Sequence, residues 1–206
     1  MKKTIKKILL FTAATLFMYS CDTVDFGDIN TDPNNPSTAS ASGLLANALK
    51  SLPGHLTQTT SILYAQYTAN GQYPDESRYG TLNWSYYGWY SGPLEDLRVV
   101  VETAATLIRA YYLHTMTDRW GMIPYTEALQ GLENTKPVLD TQETVYKGLF
   151  DEIDRALSMI DNTQDGPEGD ILFNGDMARW KQFGNTLKTI MALRLSKRDT
   201  ELGGYA

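Results

Sequence analysis

Eighteen positions hold the densest chemistry in the chain. Between Tyr73 and Tyr90, in YPDESRYGTLNWSYYGWY, lie seven of its 23 aromatic residues, interleaved with Asp75, Arg78 and Asn83. A sugar ring offers an apolar C–H face that stacks on Tyr or Trp and a rim of hydroxyls that pairs with carboxylate, guanidinium and amide groups, so this mixture suits carbohydrate recognition. The segment divides in two. From Trp84 onward the aromatics fall at 84, 87 and 90, a helical step, which reads as packing ahead of a helix. The polar part, Tyr73 to Asn83, reads as a loop, and Tyr73, Asp75, Arg78, Tyr79 and Asn83 are the candidate ligand contacts. Other chemistry finds few handles. The two histidines, His55 and His114, stand in no HExxH pattern or other metal-ligand spacing, and no GxSxG, GxxxxGK[ST] or GxGxxG motif occurs. Asp118 with Glu127 could be written down as a hydrolytic carboxylate pair, but nothing in the sequence fixes the separation or raises the pKa that such a pair needs. No cofactor is implied.

The one cysteine of the 206 residues is Cys21. It excludes an internal disulfide framework and any CxxC site. Before it come four lysines, Lys2, Lys3, Lys6 and Lys7, and then an apolar run of about twelve residues from Ile8 to Tyr19. That run is too short for a hydrocarbon core of ~30 Å and matches the h-region of an export signal. Small Ser20 directly before Cys21 resembles the cleavage site of a bacterial lipobox, with Met18 and Tyr19 departing from its usual residues. The expectation is a signal peptide over 1–20 and lipidation of Cys21; ordinary secretion with a buried thiol is the alternative. The whole chain carries a net charge of −6. Without the four leading lysines, 14 basic residues face 24 acidic ones and the charge falls to −10. An electrostatic nucleic-acid binder is excluded by that balance.

The elements that must position these residues read as helices. Residues 21–42, rich in Asp, Asn, Pro and Ser, are expected to be a tether and an irregular lead into the first helix; their Asp28-x-Asn30-x-Asp32-x-Asn34 spacing lacks the glycine and glutamate of a calcium loop and reads as Asx turns. Beyond 42 the apolar spacing is helical and no sustained alternation of period two occurs. Leu44, Leu45, Ala48, Leu49 and Leu52 make a face closed by Pro53-Gly54, and Ile62, Leu63, Gln66 and Tyr67 a second helix ending near Gly71. A long third helix is expected after Pro93, through Leu94, Leu97, Val101, Ala104, Ile108, Tyr111 and Leu113 to Gly121. Asp140 with Glu143 reads as a capping box for a fourth helix with Val145, Leu149, Ile153, Leu157 and Ile160 inward. Asp176 reads as the cap of a fifth, with Trp180, Phe183, Leu187, Ile190, Met191 and Leu195 inward. Paired amphipathic helices on short loops give a mainly α, tetratricopeptide-like helix-hairpin solenoid.

Four segments carry a resemblance: FGDINTDPNNPS (26–37), TDRWGMIPYTEAL (117–129), KPVLDTQETVYKGLFDEIDRALSMID (136–161) and GDILFNGDMARWKQFGNTLKTIMALRLS (169–196). In this order behind a lipobox they resemble the SusD/RagB family of nutrient-binding outer-membrane lipoproteins, with Met122 standing where the pattern commonly has Asp. The resemblance implies a helical SusD-like domain over 43–206, corresponding to about the N-terminal two-fifths of a family member. It implies binding of oligosaccharide, or of peptide, rather than catalysis. The expected partner is a SusC-like TonB-dependent transporter, with the acyl chains of Cys21 in outer-membrane lipid and the protein on the extracellular face. Positional analogy with the family's early loop falls on Tyr73 to Asn83. The rival expectations are a glycan-degrading lipoprotein and a truncated chain without activity.

Overall fold

The computed structural model describes residues 39–80, 85–100 and 103–198. Cys21 with its signal and tether, the Asp28–Asn34 stretch, Asn83, Trp84 and Val101 lie outside the described residues. Helix α1 spans Ala41–Leu56, starting where the Ser40 hydroxyl accepts from the Gly43 N–H at 3.1 Å. Leu45, Ala48 and Leu49 are its buried face, with Leu44 and Leu52 at the edge. Pro53 does not end it as expected. The helix carries the proline within its last turn, where the Thr57 N–H and hydroxyl both donate to the Pro53 carbonyl at 2.9 and 2.7 Å. Arg119, from another helix, donates to the carbonyls of His55 and Leu56 at 2.8 and 2.7 Å. A cation thus covers the carbonyl end of α1, where the helix dipole favours positive charge.

Helix α2 is one short piece, Thr59–Tyr64, and not a helix to Gly71. Gln66 takes φ of 59°, its N–H bonds to the Leu63 carbonyl, and the Tyr67 N–H bonds to the Ile62 carbonyl. This is a Schellman stop, made here without glycine. Only Leu63 of this helix is buried.

Helix α3, Tyr87–Trp89, runs into a π turn over Tyr90–Leu94 in which Gly92 leaves helical geometry, followed by α4 over Glu95–Val99. Helix α5 is Thr103–Trp120. The single long helix expected from Pro93 to Gly121 is therefore broken at Val100, whose ψ of 98° is extended. Val99, Val100 and Val101 are consecutive β-branched residues, which lose side-chain freedom in a helix and favour extended backbone. Val100 is buried at the break.

Helix α5 is the element around which the other long described helices pack. Ala105, Leu107, Ile108, Tyr112, Met116 and others bury more than one of its faces, and it packs against α1, α4, α6 (Gln142–Met159) and α7 (Met177–Leu195). Val145, Leu149 and Ile153 of α6 are buried as expected, and so are Trp180, Leu187 and Met191 of α7. Ile190 is not: it is 40% exposed on the outer side of α7. No strand occurs among the described residues; one isolated antiparallel bridge joins Ile123 and Asp140.

The cap of α6 differs from the sequence reading by one residue. Thr141 is the N-cap, its hydroxyl accepting from the Thr144 N–H at 3.2 Å. The Asp140 carboxylate instead accepts from the backbone N–H groups of Tyr125 and Thr126 at 3.0 and 2.8 Å and from the Thr126 hydroxyl at 3.0 Å. Glu143, freed from a capping box, pairs with Lys147 at 2.7 Å. Asp176 caps α7 as expected, accepting from the Arg179 N–H at 3.1 Å. In the loop between these helices the buried Asp170 carboxylate gathers N–H donors from Leu172, Phe173, Gly175 and the Trp180 indole. Burial works against its charge, but the four donors together hold its carboxyl below the usual carboxylate range. Gly169 before it has φ of 80°, and a Cβ there would strike the backbone of Ser42.

Candidate functional site

Four of the five sequence-predicted ligand residues lie on one turn, and the turn is built from hydrogen bonds rather than from burial. Pro74 opens a 3₁₀ segment, Pro74–Arg78, its fixed φ suiting the first position. Tyr79 then takes the left-handed conformation at φ of 59°. Its hydroxyl donates to the Tyr64 carbonyl at 3.0 Å and accepts from Gln66 Nε2 at 2.9 Å, while the Tyr64 hydroxyl donates to the Gly80 carbonyl at 2.8 Å. The two rings meet at a centroid distance of 4.9 Å. Between these ends, Asn70 Oδ1 accepts from the Gln72 and Tyr73 N–H groups at 3.1 and 3.0 Å, and its amide donates to Glu76 at 2.7 Å. The Asn70 N–H itself donates to the Ser77 hydroxyl at 2.8 Å.

The result is a closed turn that carries exposed rings. Tyr67 is 85% exposed, Tyr73 60% and Tyr79 56%, and Asp75 and Arg78 are also exposed. Tyr79 is both a surface ring and a staple: its hydroxyl is committed and its ring meets Tyr64, yet much of the ring stays exposed. Tyr67 and the organising Asn70 escaped the sequence reading as ligand contacts; Tyr67 was expected within a helix ending near Gly71. The Asn70-Gly71 pair, a strong turn signal, could have found the helix end.

The second aromatic stretch is core, though in a different register. Trp89 is buried, edge-on to His55 at 4.9 Å, Tyr112 at 5.6 Å and Trp120 at 5.7 Å, with the Arg119 guanidinium 5.3 Å from its ring centre. Tyr86 and Tyr90 pack beside it, and the Tyr90 hydroxyl donates to the Pro124 carbonyl. Tyr87, expected inward with 84 and 90, is 73% exposed. Only Tyr87–Trp89 is regular helix before the π turn over Tyr90–Leu94, so a sustained helical step does not govern which rings face inward.

A cavity of about 560 Å³ lies elsewhere, lined by Asp118, Gln142, Glu143, Tyr146 and Arg194 among others. Asp118 accepts from the Tyr146 hydroxyl at 2.6 Å, pairs with Arg194 at 2.5 Å and lies 3.2 Å from the buried His114 Nε2. Burial first, and then the bond to Asp118 and its charge, push the Tyr146 phenol up. The Tyr146 ring is buried, so this crevice presents no open aromatic face and ties α5, α6 and α7 together electrostatically. Glu127 is held apart in a loop, accepting from the Asn134 amide and the Val138 N–H at 2.9 and 3.2 Å. Among the described residues, no group of three His, Cys, Asp or Glu could hold a metal ion, and no helix is long and apolar enough to cross a membrane.

Residues 33–206 match the SusD-like family described as starch-binding and associating with the outer membrane. The chain belongs to this family. Solved SusD-like structures share its fold. A chitin-binding SusD homologue from Flavobacterium johnsoniae matches at 20% identity and a TM-score of 0.65, over 79% of this chain and 40% of that one. A SusD homologue from Bacteroides fragilis matches at 26% identity and 0.62, over 79% and 37%, and a SusD-like protein from Bacteroides thetaiotaomicron at 23% and 0.62, over 79% and 39%. This SusD-like chain thus spans about two-fifths of the length of the structures it matches. A search of curated proteins finds no match. The motif residues that carry the family likeness act as framework here. Arg119 and Trp120 of RWG bind the end of α1 and the Trp89 cluster, Asp140 clamps the IPYTEA turn, and Asp170 and Asp176 order the GD-x-x-x-x-GD segment.

Proposed function

We propose that this SusD-like chain binds oligosaccharide on the Tyr64–Gly80 turn and delivers it to a SusC-like TonB-dependent transporter, tethered to the outer membrane through acylated Cys21 and facing outward. The observation that carries the reading is the set of open tyrosine rings, Tyr67, Tyr73 and Tyr79, on a turn fixed by side-chain bonds and flanked by exposed Asp75 and Arg78. Asn83 is proposed to extend the polar rim. The family description and the chitin-binding relative favour a glycan over a peptide. Binding without turnover is favoured because Asp118 and Glu127 are each engaged by their own neighbours.

Calorimetric titration with malto- and chito-oligosaccharides tests the platform. Tyr67→Ala and Tyr73→Ala should each weaken binding by about 1 to 3 kcal/mol and leave the melting temperature nearly unchanged. Wild-type affinity in both variants for every sugar the chain binds would remove the turn from the account. Labelling cells with a clickable palmitate tests the tether: wild type should be marked and Cys21→Ser should not, and equal labelling would exclude a lipid on Cys21.

A further inference from the structure

The loop between α6 and α7 borders an open groove with one sign of charge. This cavity, also of about 560 Å³, lies between the loop, the first turn of α5 and the start of α7. Met159, 58% exposed, and half-buried Met177 and Pro167 give it an apolar lining, and Asp161, Asp165 and Glu168 stand exposed around it. Among the described residues, no lysine or arginine lines it. Glu143, Glu152, Asp154 and Asp176, on or beside the neighbouring helices, each meet a cation of this chain. The groove carboxylates do not. The Asp165 and Glu168 side chains bond to nothing among the described residues, and the Asp161 carboxylate accepts only from the Thr163 N–H and hydroxyl, both through Oδ1, at 2.8 and 2.7 Å. The loop that presents them is pinned. The Gly166 N–H donates to the Gly175 carbonyl at 3.1 Å, and a Cβ on Gly166 would strike the Gly175 backbone.

The lining decides what fits. Its carboxylates do not converge on a point, for among the described residues no group of three His, Cys, Asp or Glu could hold a metal ion. No aromatic ring among those residues lines the groove, so a sugar would find no face to stack on. A second copy presenting the same groove would set acid against acid. Negative charge spread around exposed methionine suits a polypeptide with several cations along its length, since methionine adapts its shape to varied apolar side chains. We propose that this groove docks a basic segment of a partner protein. Its Lys or Arg side chains pair with Asp161, Asp165 and Glu168, and the apolar residues between them cover Met159 and Met177.

Two fluorescein-labelled peptides of equal length and the same Leu/Ala content, one carrying Lys at alternating positions and the other Glu, test this by anisotropy against the 206-residue chain in mild detergent. The Lys peptide should bind roughly tenfold or more tighter than the Glu peptide, with the difference shrinking as salt screens the charges. Removing two groove charges together, by Asp165→Asn with Glu168→Gln, should weaken the Lys peptide by roughly tenfold. Removing two exposed charges elsewhere, by Asp151→Asn with Glu133→Gln, should not. Met159→Gln should also weaken it, since a general attraction to an acidic chain has no need of the methionine. All five replaced residues are exposed, and far-UV dichroism confirms that each variant folds. Equal binding of the two peptides, no binding of the Lys peptide, or full binding by the folded groove variant or by folded Met159→Gln overturns the proposal. An equal loss in the two double variants would reduce the effect to net charge and overturn it. Saturable calcium binding that the groove variant loses would assign the carboxylates to a metal ion, and a dimer that it dissolves would assign them to a second copy; either overturns it as well. None of these outcomes depends on the tyrosine turn.

Discussion

Replacing Asp140 by Ala separates two roles that one carboxylate could play, helix cap or turn clamp. The Asp140 carboxylate receives the N–H groups of Tyr125 and Thr126 and the Thr126 hydroxyl at 2.8 to 3.0 Å. A hydrogen bond to a charged group contributes about 1.5 to 3 kcal/mol where water cannot replace it. Thr126 is exposed, so water compensates most of its share, but the part-buried Tyr125 N–H is left without its acceptor. The loss should spread, because the Tyr125 ring lies over Gly148 and its hydroxyl bonds to Glu152, itself paired with Arg109 at 2.8 Å. Asp140→Ala should therefore cost about 2 to 3 kcal/mol, Asp140→Asn less because an acceptor remains, and Thr141→Ala about 1 kcal/mol as an ordinary lost cap. Urea unfolding followed by far-UV dichroism gives all three, with an unchanged slope showing that the folded state is the same. If Thr141→Ala costs as much as Asp140→Ala, or more, the carboxylate is not the clamp of the 123–126 turn and the argument fails.

Trp89→Ala should cost about 3 to 5 kcal/mol, as a large ring removed from a filled core, with sugar binding retained in whatever fraction remains folded; thermal melts paired with calorimetry check it. His114 supplies a pH dependence. Burial outweighs the favourable charge of Asp118, Arg194 opposes protonation further, and the Tyr146 ring packs at 5.6 Å, so the imidazole titrates below its ordinary 6.5 in the folded chain. The folded state then binds fewer protons than the unfolded one through this window. Its stability should be at full value above about pH 7 and fall as the pH drops through 6.5 towards the folded pKa. His114→Phe should flatten that slope in denaturation curves between pH 5 and 7, and an unchanged slope would refute the assignment.

The helices that sequence located best were those with a regular buried stripe behind a side-chain cap, such as α7 with Trp180, Leu187 and Met191 behind Asp176. Where two capping types stood side by side, as at Asp140-Thr141, pattern alone put the cap one residue early, since only the folded chain brings the Tyr125 and Thr126 N–H groups to Asp140. The break at Val100 was written in three consecutive valines but hidden by an apolar spacing that continues across it. Tyr87 was placed inward and Trp89 passed over because the helix there is only Tyr87–Trp89 ahead of a π turn over Tyr90–Leu94, too short for a fixed period to decide which side faces in. At the candidate site the polar loop was legible from composition. Tyr67 was not, because a tyrosine at helical spacing counts equally as core or surface until the Schellman stop at Gln66 turns it outward. The bonds that close the turn, from Tyr79 to Tyr64 and Gln66, join residues 13 to 15 positions apart and have no local signature.

The stapled turn also has a kinetic consequence. Because Tyr64, Asn70 and Tyr79 hold it shut through side-chain bonds, a sugar bound there as proposed would meet surfaces already in position and have little chain to order. Association should therefore run at nearly the same rate for different glycans, and preference among them should be written in residence time. On the proposed role, a few open rings would release their load quickly, as a carrier passing its cargo onward needs.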